Sequence, residues 1–358
     1  MNPVQTGALY TSSRGVLRVA PYFFEYKTFT KQRWLGKRLI EVFEKEFCDR
    51  PMDYYKFQII KGNILVNKQK VAPEYTLCNS DLITHSIHRH EPPVTDESIQ
   101  ILHLDDQMVV VNKPASLPVH PSGRYNMISL VEILKHKIGL SHLSLINRID
   151  RLVSGIVLMA TTPESASILH DQMLSHSLVK EYVCKVKGKF PTEAVCEQPI
   201  MNVEHKLGLH YVSSEGKQAK TTFQLLSYDG EFSIVYCRPF TGRSHQIRIH
   251  LQYLGFPIVN DPLYQSMEPV DREYIVSLAD SILKDQIEML SSGGDHVFCE
   301  DCQDFVLNSN NLENPIMLHA FRYSLPEEWS FETEKPSWID QNIVLENANE
   351  LIPKAWFT

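Results

Sequence analysis

Asp150 stands between Arg148 and Arg151 in the stretch Asn147-Arg148-Ile149-Asp150-Arg151-Leu152-Val153-Ser154-Gly155. A carboxylate with cations beside it stays ionised even where water is partly excluded. That is the state a nucleophile or a proton-abstracting base requires, and the same cations would face a polyanion. An isolated Arg-x-Asp-Arg is equally the pattern of an ordinary surface ion pair. Three further stretches gather groups able to assist: Asn112-Lys113-Pro114, Lys180-Glu181-Tyr182, and Thr241-Gly242-Arg243-Ser244-His245-Gln246-Ile247-Arg248.

The surrounding pattern predicts the elements that must hold these residues. Ser154-Gly155 suits a tight turn, and the apolar, β-branched run 156–160 suits a buried strand. Residues 101–104 and 108–111 read as paired strands around Asp105-Asp106, followed by a proline-stiffened loop over 112–121. Residues 179–188 alternate as a strand carrying Tyr182, and 220–226, 232–238 and 316–323 read as further strands. Helices are predicted over 129–138, over 163–175 with Thr162 as N-cap, and over 245–254. On the last of these, residues three apart share a face, so His245 and Arg248 point together.

Ahead of this body, residues 28–92 read as a small separate unit, after a lead-in over 1–27. Leu35, Leu39, Val42, Phe43 and Phe47 recur at helical spacing, Asp53 caps a second helix over 54–60, and 61–71 reads as a turn, a strand and a return hairpin. Residues 91–96 tether this unit to a body over 97–330, with an acidic insertion at 266–314 and a tail at 331–358. The first 24 residues carry Arg14 and Arg18 and no acid, but lack an amphipathic repeat. A structural lead-in is therefore favoured over a transit peptide.

The 358 residues are 43% hydrophobic and 22% charged, as in soluble globular proteins, and no apolar run approaches the roughly 18 residues of a membrane span. Seven scattered cysteines fit a reducing, intracellular compartment, with cytoplasm or nucleus expected and an organelle left open. The net charge of −8 is unevenly divided. Residues 268–358 hold 18 acids and 5 bases, whereas 1–267 hold 25 acids and 30 bases. A mildly basic body of this kind suits docking of a polyanion on one face.

His85, His88 and His90 cluster before Pro92-Pro93, and Cys299 and Cys302 form a lone Cys-x-x-Cys near His296. The cysteine pair offers half a zinc site, but a second pair is missing. Two buried thiols and no metal are the expectation.

Read together, the four stretches around Lys113, Asp150, Tyr182 and Arg248 closely resemble the RluA-type pseudouridine synthases. The resemblance runs from about residue 101 through Asp261-Pro262-Leu263-Tyr264 and resumes at Leu318-His319-Ala320. The lead-in, the small unit and the insertion resemble the family's eukaryotic branch, which includes tRNA-modifying members. The two helices and basic hairpin of the small unit are similar to the αL RNA-binding motif.

The resemblance implies an α+β fold with a mixed, largely antiparallel central sheet. It implies a cofactor-free isomerisation, in which a uridine's bond from N1 to the ribose is broken and remade through C5. A dinucleotide glycine fingerprint and a P-loop are indeed missing. Asp150 would be the essential carboxylate, attacking the sugar or removing a ribose proton, and Arg248 its ion-pair partner. Tyr182 would stack on the flipped base, its hydroxyl assisting loss of the C5 proton. Arg148 would brace the nucleotide, while Lys113, Lys180 and Arg243 would contact phosphate and His245 would face the cleft. Leu318 would wall the base pocket.

The partner implied is RNA, tRNA foremost, with rRNA or mRNA open, and a monomer is expected. The family's usual His-Arg-Leu-Asp is here Asn147-Arg148-Ile149-Asp150, and a usual threonine is Val153. A non-catalytic RNA chaperone would show erosion at Asp150, Tyr182 or Arg248, and none is seen. A nucleotide deaminase would need His-x-Glu with Pro-Cys-x-x-Cys, which the chain lacks.

Overall fold

The near-continuous apolar runs at the centre of the chain form strands with both faces covered. Ser154–Ala160 and Met108–Lys113 pair antiparallel, and Val109 through Val111 and Ile156 through Ala160 are completely buried. The computed structural model describes residues 10–47, 52–140, 142–174, 178–204, 209–268, 270–278, 281, 296–300, 304–307 and 312–345. The chain divides into two compact units, one of residues 1–19, 92–295 and 309–358, the other of residues 20–91 and 296–308.

The larger unit is built on a ten-stranded sheet. Its strands run in the order Glu193–Cys196, Thr221–Tyr228, Phe232–Pro239, Val179–Lys187, Leu318–Leu325, Ser154–Ala160, Met108–Lys113 and Gln100–Leu104. Trp329–Glu332 and Ser144–Leu145 pair at the side of this path. All pairs are antiparallel except Ser154–Ala160 against Leu318–Leu325. The mixed, largely antiparallel α+β body is therefore as expected. Helices Leu130–Ile138, Pro163–Leu174 and Gln246–Tyr253 accompany the sheet, and Thr162 Oγ1 accepts the Ser165 backbone N–H at 3.1 Å as an N-cap should.

The one parallel contact corrects the reading of Ser154-Gly155. These residues are not the turn. The turn lies one step earlier, where Val153 N–H donates to Asp150 O at 3.1 Å, and Ser154 already begins the strand. Gly155 sits opposite Ala320 with φ +115°, and a Cβ there would lie 2.2 Å from the Ala320 carbonyl oxygen. Glycine is needed because two backbones meet too closely for any side chain. Gly155→Ala should therefore cost about 3 kcal/mol or more. Chemical denaturation would read this as a lower midpoint at unchanged slope.

The first strands also join the sheets rather than merely leading in. Tyr10–Ser13 and Val16–Val19 form a hairpin that extends to Val94–Thr95. In the smaller unit, Tyr22–Phe29 pairs along its whole length with Leu82–Arg89, so that unit begins near residue 20 rather than 28. Its two helices, Leu39–Glu46 and Met52–Lys61, bury Leu39, Val42, Phe43, Tyr55 and Ile59 in one core. The expected return hairpin is only a tight turn through Asn67 and Lys68, both left-handed, closed by a bridge from Val66 to Gln69. Ile64–Val66 instead pairs with Leu82–Arg89, matching Ile64, Leu65 and Val66 to His85, Thr84 and Ile83. Within the acidic insertion, His296–Cys299 and Asp304–Leu307 form an antiparallel hairpin. Cys302 and the tail beyond 345 lie outside the described residues. Among the described residues no helix is long and apolar enough to cross a membrane.

Candidate active site

Asp150 is presented by a turn that the sheet and a buried lysine hold from below. Lys113 is completely buried, and its Nζ donates to Pro114 O at 2.8 Å, Leu117 O at 2.8 Å and Arg151 O at 3.2 Å. All three ammonium protons are thus committed to carbonyls, stitching the Asn-Lys-Pro loop to the Asp150 turn. Lys113 is therefore not a phosphate contact, contrary to the sequence reading. Burial pushes its ammonium down to about 7, against the opposing pull of Asp150. Asn147 is also buried: Nδ2 donates to Ile156 O at 3.2 Å and Oδ1 accepts from Leu158 N–H at 2.7 Å. The residue that departs from the family pattern ties its loop to the strand Ser154–Ala160 through a donor and an acceptor, a task an amide performs without charge.

Arg248 reaches Asp150 from the helix Gln246–Tyr253. The turn before that helix is fixed by the Gln246 side chain. Its Oε1 accepts from Thr241 Oγ1 and Arg243 N–H, and its Nε2 donates to Lys220 O and Thr221 Oγ1. Arg248 Nη1 donates to Asp150 Oδ2 at 2.6 Å. Its Nε and Nη2 fork onto the two oxygens of Asp261 at 2.7 and 2.9 Å. Asp261 is completely buried and also accepts the backbone N–H groups of Leu263 and Tyr264. The Tyr264 ring lies under the guanidinium at 5.0 Å.

One guanidinium therefore joins two carboxylates, one locked and one open. Asp261 is the residue whose role the sequence reading missed. Only the structure gives the signal: a buried arginine whose other partner is partly open needs a second anion.

These contacts set the charge states. Burial pulls the Asp150 carboxyl upward, but the His245 imidazolium that forms in acid, the Arg248 charge and the Arg248 hydrogen bond outweigh it and hold the group below its ordinary value. His245 does not lie within the helix as expected. It is the N-cap, at φ 56°, and from there its Nε2 lies 3.7 Å from Asp150 Oδ2 while Nδ1 meets Tyr264 Oη at 2.9 Å. Burial pushes His245 down to about 4, so at neutral pH it is uncharged and Arg248 is the working cation. The side chain of Asp150 keeps 31% exposure beside an Arg248 at 4%, so the anion is accessible while its counter-ion is not.

Tyr182 lies on the strand next to Leu318–Leu325, where a bulge between Glu181 and Tyr182 shifts the register and sets Tyr182 opposite Ala320. Its hydroxyl pairs with that of Tyr323, and the two rings are 5.9 Å apart and tilted. Burial, Tyr323 and Asp150 all raise its hydroxyl well above the ordinary value, so it stays protonated. Leu318 is buried opposite Cys184 on the same pair of strands. Lys180 is half-buried, with Nζ close to the Cβ position of Gly242, and burial lowers its ammonium. Arg148 is exposed, with Nη1 3.5 Å from His120 Nε2. Arg243 is exposed and anchored through Nε to Gln218 O at 2.9 Å.

Two further histidines near these strands make an acid-sensitive scaffold. His250 bridges Thr221 Oγ1 and Gln198 O, and His319 bridges Ser154 Oγ and Thr333 Oγ1. Burial pushes both down to about 4. Between that value and the unfolded value near 6.5 only the unfolded chain takes up these protons, so stability is full above about 6.5 and falls as pH drops towards 4. Each histidine contributes on the order of 3 kcal/mol to that loss. Urea unfolding at pH 7.5 and pH 5 should show it, and His319→Asn should reduce the difference.

The same fold segment is what a profile for the RNA pseudouridylate synthases matches, over residues 107–253. A tRNA pseudouridine(32) synthase, mitochondrial, of Saccharomyces cerevisiae is 39% identical over 353 residues, covering 90% of this chain and 76% of that protein. Pseudouridylate synthase RPUSD2 of Homo sapiens is 44% identical over 260 residues, covering 72% of this chain and 48% of the human protein, about half its length. A tRNA pseudouridine(31) synthase of Saccharomyces cerevisiae is 29% identical over 403 residues, covering 94% of this chain and 98% of that protein. With Asp150 held ionised beside Arg248 in the matched segment, the chain belongs to the RNA pseudouridylate synthases, in the RluA-type group.

Proposed function

We propose that this chain isomerises a uridine of tRNA where the anticodon stem meets its loop, with Asp150 as the essential carboxylate. The observation that carries the reading is the Asp150–Arg248–Asp261 arrangement, which keeps one reactive anion ionised and open. The substrate class follows from two yeast relatives named for tRNA uridines 32 and 31, neighbouring positions.

In the reaction the uridine is flipped out and its base stacks on Tyr182. Asp150 either attacks the ribose C1′ or removes the 2′ proton, and in both routes the bond from N1 to C1′ breaks with its electrons going to the base. The base turns and C5 bonds to C1′; in the first route this breaks the bond from Asp150 to C1′, and in the second Asp150 returns its proton to C2′. The C5 proton leaves while N1 gains one, so nothing is oxidised or hydrolysed. Tyr182, held protonated beside Tyr323, acts on that proton as a neutral relay rather than as a phenolate. Arg148, Lys180 and Arg243 contact the RNA backbone, positioning it without reading sequence, and Leu318 walls the base pocket. The small unit, with its helix pair and basic turn, adds RNA affinity that weakens steeply with salt.

Tritium release from C5-labelled uridine in tRNA transcripts tests this reading. Replacing uridine 32 by cytidine should abolish release if position 32 is the target, while replacing uridine 31 should leave it intact. Release surviving both replacements would move the target elsewhere, and no release from any tRNA would overturn the substrate class.

A further inference from the structure

Within the smaller unit three side chains distant in sequence converge on one point. His88 lies on the strand Leu82–Arg89 and His90 two residues on, so both project from the same face. Cys299 ends the strand His296–Cys299. His90 Nε2 is 3.0 Å from His88 Nδ1 and 3.2 Å from Cys299 Sγ, and Cys299 Sγ is 3.4 Å from His88 Nδ1. The three ligand atoms thus form a closed triangle. We propose that His88, His90 and Cys299 bind a zinc ion that fastens the Cys299 strand to the face of the smaller unit's sheet.

The geometry favours a metal over hydrogen bonding alone. Around tetrahedral zinc, with bonds of about 2.0–2.1 Å to nitrogen and 2.3 Å to sulfur, nitrogens sit about 3.3 Å apart and nitrogen and sulfur about 3.6 Å. The three observed separations fall within about 0.4 Å of those values. In a purely hydrogen-bonded triangle each ring nitrogen is either donor or acceptor. One nitrogen would then have to split its proton between two acceptors, and the other its lone pair between two donors. A cation satisfies all three lone pairs at once. Thiolate and imidazole together are the donor set that suits zinc, and its binding displaces the Cys299 thiol proton. The His88 ring is already oriented by Phe23, its cross-strand partner, at 4.9 Å.

Histidines and cysteine are 209 residues apart (His90 to Cys299), so such an ion would close a long loop of chain. Its role is structural, separate from Asp150 chemistry. The histidines and the cysteine lie in different segments of the sequence, and neither segment alone offers a full ligand set.

The test uses the full chain. Protein purified without chelator should carry about one zinc per chain. After chelator stripping it should bind one equivalent of cobalt(II) with a thiolate-to-cobalt charge-transfer band, which added zinc bleaches. Cys299→Ser should lose that band, His88→Ala should lose most of the metal, and Cys78→Ser, at an exposed cysteine of the same unit, should change neither. Retained zinc and a charge-transfer band in the unaltered chain do not depend on any variant folding. A chain that keeps no zinc and gives no such band overturns the site, and a band persisting in Cys299→Ser places the metal elsewhere.

Discussion

Asp150→Asn is expected to stop pseudouridine formation, with tritium release from C5-labelled uridine falling by at least about 10^4-fold, while the RNA stays bound. The substitution keeps the shape of the side chain and an oxygen that can still accept from Arg248 Nη1. It removes the negative charge, and with it both the attack on C1′ and the removal of the 2′ proton. Stability should hardly change, because Asp150 is partly exposed and Arg248 remains forked onto Asp261. RNA affinity should hold or rise slightly, since a carboxylate facing phosphates has gone. The decisive comparison sets turnover beside the dissociation constant on the same tRNA. Turnover within about tenfold of the unaltered protein would remove Asp150 from the chemistry. Equal loss of binding and turnover would make it a docking residue.

How far the sequence foretold this site differs from residue to residue, for physical reasons. Asp150, Arg248 and Tyr182 were legible because they sit in short motifs whose order along the chain follows the strands and helix that carry them. The sheet was legible too, since its central strands are apolar runs of strand length bounded by turn residues. The long-range partners of charged groups were not. Lys113 looked like an exposed phosphate ligand because its neighbours Asn112 and Pro114 suggest a loop, yet it is the last residue of a buried strand. Gly155 looked like a turn because glycine near serine usually is one, and only the parallel neighbour Ala320 reveals the close approach. Asp261 lies 13 residues beyond Arg248, past the end of the helix, and periodicity does not see across that gap. His88 and Cys299 are separated further still, so their meeting belongs to topology alone.

Arg248 carries the second large effect, because it serves two carboxylates at once. In Arg248→Ala, Asp261 keeps the backbone N–H groups of Leu263 and Tyr264 but loses its buried cation, and the fold should weaken by about 3–5 kcal/mol. Thermal unfolding would report this as a fall on the order of 10 °C. Asp150 loses the same cation. With His245 uncharged at neutral pH, only burial and the Lys113 ammonium then act on its carboxyl. The sign of the pH effect follows. In the unaltered protein the carboxyl is held low, so Asp150 itself stays ionised into acid. Without Arg248, burial moves the carboxyl upward, and the acid limb of kcat/KM should shift to higher pH as the plateau drops. Arg248→Lys separates this from simple unfolding. A lysine can keep a charge against Asp261 and so recover much of the stability, but a single ammonium cannot reproduce the fork and reach Asp150 as well. Recovered stability with turnover still reduced at least about 100-fold, and with the acid limb still displaced, is the expected outcome. If Arg248→Lys restored both stability and turnover, the planar bridge between the two carboxylates would not be what holds Asp150 ready.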